Sequence, residues 1–162
     1  MMNMNYTKEK SAAFTGHRFV PYAQRSIIRE RIKGEVINAY KLGIRNFYCG
    51  MAVGFDMLAA EVILSLKAQL SSISLIAVVP FRGQDFRFSE SDKKRYKMLL
   101  NEVDDVLVLS NKYYKGCLLR RNDFMLDNSS RLIAYFNGEQ KGGTFYTCRR
   151  AESRGIPIVN LY

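Results

Sequence analysis

Between Phe47 and Glu61 the sequence passes from an apolar run that stops at Cys49, through Gly50 and Gly54, into a helical pattern that begins at once. That order reads as a strand, a tight glycine turn and a helix start. Glycine lets a backbone approach a ligand closely, and the free N–H groups of a helix's first turn attract an anion such as phosphate. Asp56 sits in or beside that turn, where it either caps the helix or, pointing inward, holds a ribose hydroxyl. The spacing G-x-x-x-G-x-D differs from the dinucleotide fingerprint G-x-G-x-x-G. The turn therefore gains weight chiefly from two other stretches, residues 15–18 and 142–144, that can converge on it.

The same alternation runs along the whole chain. Ala12–Thr15 reads as a first strand, and Ile28, Ile32, Val36 and Ala39 then recur at helical spacing between Gln24 and Leu42, with Gly43 as the stop. Arg45–Cys49 is the second strand and residues 54–70 the second helix. Ser74–Val79 is a continuous apolar run after Ser74, rich in β-branched residues, the pattern of a strand covered on both faces in a parallel sheet. A helix opens with capping residues at Ser89 and runs to about Asn101, and Asp105–Leu109 reads as a fourth buried strand. A short helix over Leu118–Asn128, a strand over Arg131–Phe136, a helix over Gly142–Arg154 and a strand over Pro157–Leu161 complete the series. The expectation is one three-layer α/β, Rossmann-like domain over residues 11–162, with a mostly parallel sheet of about six strands, behind a loose tail at residues 1–10. Ligands of such sheets bind at the carboxyl ends of the strands, here the loops at 16–22, 50–56, 80–88, 110–117 and 137–144.

Composition narrows the partners. The chain has 162 residues, enough for a real core, and a formal net charge of +10. Basic residues gather at Arg25–Lys33, Arg82–Lys97, Lys112–Arg121 and Arg149–Arg154, interrupted by acids. This suits a phosphate-bearing partner, a nucleotide or less readily a nucleic acid strand, although solvated helix faces account for some of it. No apolar stretch reaches the roughly 18–20 residues of a membrane span, and the start lacks the apolar core of a signal peptide. Three cysteines without C-x-x-C spacing and a single histidine argue for reduced thiols in a cytoplasmic protein, with no metal and no cofactor. A homo-oligomer stays open.

Three stretches carry candidate chemistry. In Thr15-Gly-His-Arg18, Gly16 frees the turn, His17 is the only imidazole, and Arg18 can fork two hydrogen bonds onto a phosphate. Gly142, Gly143 and Thr144 open the last long helix and form a second anion cradle, unless the glycines serve only the turn. Asp56 and Glu61 are candidate carboxylates, with Asp56 the better placed to face a ligand and Glu61 better read as a cap, an arginine partner or a loop holder. Arg121 and Asn122 follow a basic loop and reach the same mouth, unless they sit in a surface salt bridge. A hydrolytic reading uses Asp56 or Glu61 beside a sugar and His17 as acid.

Taken together, the residues Thr15-Gly-His-Arg18, Gly50, Gly54 and Asp56 with Ala59-Ala-Glu61 resemble the YpsA-like proteins of unknown function. So do Pro80-Phe-Arg-Gly-Gln84, the run from Arg121 and Asn122 to Asp127, and Gly142-Gly-Thr144. These belong to the SLOG superfamily, which also holds the DprA single-strand DNA-binding proteins and the LOG cytokinin-activating phosphoribohydrolases. The resemblance runs in order from about residue 11 to 162. It implies a Rossmann-like sheet whose glycine loops bind a nucleotide or nucleotide-derived ligand, with Gly50, Gly54, Asp56, Gly142, Gly143 and Thr144 at the site and Pro80 beside it. LOG hydrolases end their second loop with P-G-G-x-G-T-x-x-E. The glutamate position corresponds to Thr147 here, and threonine cannot act as a carboxylate base. The LOG reaction therefore requires Asp56 or Glu61 as a substitute.

Overall fold

A computed structural model describes residues 6–162. Of the tail expected over residues 1–10, residues 1–5 lie outside the described residues, and Lys8–Lys10 form a 3-10 turn. The regular elements follow as β1 (Ser11–Gly16), α1 (Arg25–Lys41), β2 (Asn46–Cys49), α2 (Phe55–Leu66), β3 (Ser74–Val79) and α3 (Glu90–Glu102). The series ends with β4 (Asp105–Val108), α4 (Cys117–Asp127), β5 (Arg131–Tyr135), α5 (Gly142–Ser153) and β6 (Ile158–Asn160). The strands form one sheet in the order β4-β3-β2-β1-β5-β6, and every neighbouring pair is parallel.

Strand periodicity builds the two outer layers. Phe14, Phe47, Cys49, Leu75, Ala77, Ile133 and Tyr135 point to one face, where they pack with α1, α2 and α3. Their neighbours Ala13, Tyr48, Ile76, Val78, Leu132 and Ala134 point to the other, beneath α4 and α5. The handedness of the connections explains the split. From β1 to β4 the chain steps in one direction, so right-handed crossovers put α1–α3 on one face. It then returns past β1 to β5 and steps the opposite way, which puts α4 and α5 on the other face. The direction reverses at the β1/β5 boundary, the place where sheets of this kind open a crevice.

The helix ends follow their sequence signals. Gly43, at φ 98°, ends α1, and the Ser89 hydroxyl accepts the Asp92 N–H at 3.2 Å to open α3. One expectation is corrected. The strand read as buried over Asp105–Leu109 lies at the edge of the sheet, with Val106 39% and Val108 37% exposed. It pairs with β3 alone, so an apolar run that reads as two-sided burial is here covered on one side only.

Candidate functional site

A cleft of about 640 Å³ opens at the carboxyl end of β1, between the starts of α2, α4 and α5. It is lined by Thr15 and Gly16 at the end of β1, by His17 and Arg18 after it, by Ala52 and Asp56, by residues 115–119 with Arg121 and Asn122, and by Lys141 to Thr144. Tyr113 closes one side. None of the three helix starts carries a side-chain cap: their preceding residues are Gly54, Gly116 and Lys141. First-turn N–H groups without such a cap favour anions. Four cationic side chains, Arg18, Lys115, Arg121 and Lys141, face one carboxylate, Asp56. The lining carries a net positive charge.

The structure gathers ten of the residues singled out in the sequence: Thr15, Gly16, His17, Arg18, Asp56, Arg121, Asn122, Gly142, Gly143 and Thr144. Gly50, Gly54 and Pro80 sit outside this lining. Gly50 and Gly54 serve the packing behind it. A Cβ on Gly54, which has φ +85°, would lie 2.2 Å from the Arg18 carbonyl oxygen, and one on Gly50 would lie 2.7 Å from the Arg121 guanidinium. Pro80 is buried where β3 ends. Glu61 takes the arginine-partner alternative and not the catalytic one: its carboxylate turns to Arg95 (2.9 Å from Nε) and Arg29 (3.2 Å), outside the lining of the cleft. Five residues on a helix turn a side chain well past the face that Asp56 occupies. Lys115, Gly116 and Lys141 were not singled out individually; the signal for them was a glycine and a lysine directly ahead of a helix.

Asp56 is the carboxylate of the lining. It is 6% exposed; Oδ2 accepts the Ala52 N–H at 3.2 Å, and Oδ1 has no hydrogen-bond partner among the described residues. Burial raises its pKa from 3.8 to about 6, against the pull of Arg121, the Ala52 N–H and Arg18. Arg121 is itself buried, and burial lowers its pKa from the ordinary value while Asp56 pulls the other way. Its Nη1 donates to the Gly50 carbonyl at 2.5 Å and its Nε to Asn122 Oδ1 at 2.8 Å. The Gly50 carbonyl also accepts Gln84 Nε2 at 3.1 Å, so one backbone oxygen fixes the cation beneath the cleft.

His17 is tied into the framework. Its N–H donates to the Tyr135 carbonyl at 3.2 Å, its carbonyl accepts the Phe55 N–H at 3.1 Å, and its Nε2 accepts the Asn137 N–H at 2.9 Å. A ring nitrogen that accepts carries no proton, so His17 holds the loop after β5 and is not set up to donate through Nε2. Thr147, at the position of the LOG glutamate, is buried and donates back to the Gly143 carbonyl at 2.9 Å. Cys49, Cys117 and Cys148 are free and buried, and burial pushes the Cys49 thiol well above its ordinary pKa. Among the described residues no group of three His, Cys, Asp or Glu could hold a metal ion, and no helix is long and apolar enough to cross a membrane.

With this geometry in place, residues 21–155 match the model of the YpsA family, described as the YspA SLOG family. The chain belongs to this family. Among curated relatives, the UPF0398 protein YpsA of Bacillus subtilis is 26% identical over 137 residues, covering 81% of this chain and 76% of its own. The UPF0398 protein BH1768 of Halalkalibacterium halodurans is 24% identical over 140 residues, covering 85% and 71%. Among solved structures, the fold is similar to that of DNA processing protein A from Helicobacter pylori, reported for its single-stranded DNA binding mode. There the TM-score is 0.64 at 21% identity, covering 94% of this chain and 64% of that one, so the chain spans less than two thirds of that protein. TM1055 is also similar in fold, with TM-score 0.59 at 14% identity over 92% of this chain and 72% of its own.

Proposed function

We propose that this YpsA-family chain binds a nucleotide or nucleotide-derived ligand in the cleft after β1. The observation that carries the reading is Asp56 Oδ1, a buried acceptor without a partner in a cleft that is otherwise cationic. A ribose hydroxyl satisfies that oxygen, while phosphate oxygens meet the N–H groups of Gly142 and Gly143 together with Arg18 and Lys141. A purely cationic ligand would also satisfy Asp56, but four like charges in the lining oppose it.

The test is a thermal-shift screen against nucleoside phosphates, ADP-ribose, NAD and ribose 5-phosphate. Ligand at about a hundredfold over Kd adds roughly 2.7 kcal/mol to the unfolding free energy, a clear rise in melting temperature. Asp56→Ala loses the shift. If no phosphate-bearing ligand stabilises the protein, the reading fails.

One observation favours turnover as a second reading. A carboxyl with a pKa of about 6 exchanges a proton near neutral pH, which suits acid–base work at a glycosidic bond. With Glu61 turned away and threonine at position 147, Asp56 would act without a second carboxylate from either place. Chromatography of each stabilising ligand after incubation decides: free base that disappears with Asp56→Asn establishes an enzyme, and an intact ligand establishes a binding module.

A further inference from the structure

A second cleft of about 520 Å³ opens beside the first, and Arg18, Ala52, Tyr113 and Leu118 line both. Its walls are aromatic. Phe81, just past β3, is buried, whereas Phe86 and Tyr113 are 58% and 63% exposed. Each of the two meets the Phe81 ring steeply, Phe86 at 6.2 Å and 67° and Tyr113 at 5.4 Å and 83° between centroids. Contact on one edge leaves most of both rings to water. Large apolar rings exposed side by side are a recurrent mark of a binding surface.

The two loops that carry the rings are tied to the framework and to each other. Gln84 donates to the Gly50 carbonyl at 3.1 Å and accepts from the Tyr96 hydroxyl at 3.3 Å. The Arg82 N–H donates to the Ser110 carbonyl at 2.9 Å, joining the loop that bears Phe86 to the loop that bears Tyr113. The Arg87 guanidinium lies 5.1 Å from the Phe86 ring centre and adds positive charge to the same wall. Loops anchored in this way present their rings to a flat partner with little backbone left to order.

We propose that this aromatic annex stacks the nucleobase of a ligand whose ribose and phosphate occupy the main cleft. The inference rests on the nucleotide reading above and extends it: the ligand class is base-bearing, with its base lying past Arg18 between Phe86 and Tyr113. Stacking on an aromatic side chain is tolerant of base identity and strong enough to govern affinity.

The experiment is calorimetric titration of the full chain, wild type and the variants Phe86→Ala, Tyr113→Ala and Tyr113→Phe, with ADP and with ribose 5-phosphate. Each alanine variant is expected to bind ADP about tenfold more weakly and Tyr113→Phe to bind it as the wild type does, while ribose 5-phosphate binds the wild type and Phe86→Ala, whose ring lies outside the main cleft, alike. Unliganded melting curves show that the variants fold. A third arm uses a ten-residue deoxyadenosine strand. If that strand binds more tightly than ADP, loses affinity in both alanine variants and falls away steeply with salt, the stacked base comes from a nucleic acid. If ADP binds the wild type and both alanine variants equally, the annex is overturned and the nucleotide reading stands. If no probe binds the wild type, both are overturned.

Discussion

The two glycine turns of this protein, Gly50–Gly54 ahead of α2 and Gly142–Gly143 at the start of α5, look alike in sequence and do opposite work. At the first, the space a side chain would need is already filled by the protein: the Arg18 carbonyl at Gly54 and the Arg121 guanidinium at Gly50. At the second, a Cβ on Gly142 would meet nothing within 4 Å, and one on Gly143 would meet only Asn122 Nδ2, at 3.8 Å. One turn brings protein against protein to set Asp56 and Arg121. The other is open to the cleft and available to a ligand. A glycine ahead of a helix therefore signals close approach without saying by what.

The largest effect should come from the closed turn. Gly54→Ala places a Cβ against a carbonyl oxygen at a backbone conformation of φ 85°, ψ −124° that only glycine adopts readily. The expected loss is roughly 3–5 kcal/mol of unfolding free energy in urea. A loss below about 1 kcal/mol would mean that the turn is not closed. Gly142→Ala, at a similar φ of 89° but in open space, should cost only about 1 kcal/mol.

The next effect sits where the two turns meet, at Asp56, and has the opposite sign. With a folded pKa of about 6 against 3.8, the native state keeps a proton that the unfolded chain has released, so stability falls as pH rises across that window. The ionised carboxylate above it is disfavoured by about 3 kcal/mol. Asp56→Asn should therefore stabilise the unliganded protein at pH 7 by about 1–2 kcal/mol and flatten the stability profile between about pH 4 and pH 6, while abolishing ligand binding. Chemical denaturation across pH measures both, and a destabilised Asn variant with an unaltered pH slope would remove Asp56 from its central place.

The smallest change in stability should come from Gly143→Asp. An acidic residue in the first turn of α5 suits the helix dipole, so stability should stay within about 0.5 kcal/mol of the wild type. Binding of phosphate-bearing ligands should nevertheless be lost, because the added carboxylate occupies the cradle. Paired melting and titration experiments on this variant separate a ligand turn from a structural one.

Much of the architecture was legible locally. Ser74–Val79 reads as a doubly covered strand and is one, since its alternate residues are divided between the two cores. The Ser89 cap and the Gly43 stop are visible for the same reason: the side-chain oxygen or the absent Cβ acts on its own few residues. Val106 and Val108 show the limit. Their apolar run carries no mark of whether a second strand or helix will cover it, and here the sheet ends. In the site, Asp56 and Gly143 could be picked out by position in the first turn of a helix, whereas the annex formed by Phe86 and Tyr113 could not, because those rings stand on separate loops and come together over Phe81.

The sequence by itself determined the order of strands and helices along the chain and the division of the inner strands between two faces, and it placed the glycine-rich loops at one end of the sheet. These follow from periodicity and turn chemistry within a dozen residues. Only the tertiary structure decided which glycine turn is open, that Arg121 is buried against a carbonyl 71 residues away, and that Asp56 rather than Glu61 faces the cleft. Close contacts of that kind arise when distant segments are packed at interior density, and no local pattern encodes them.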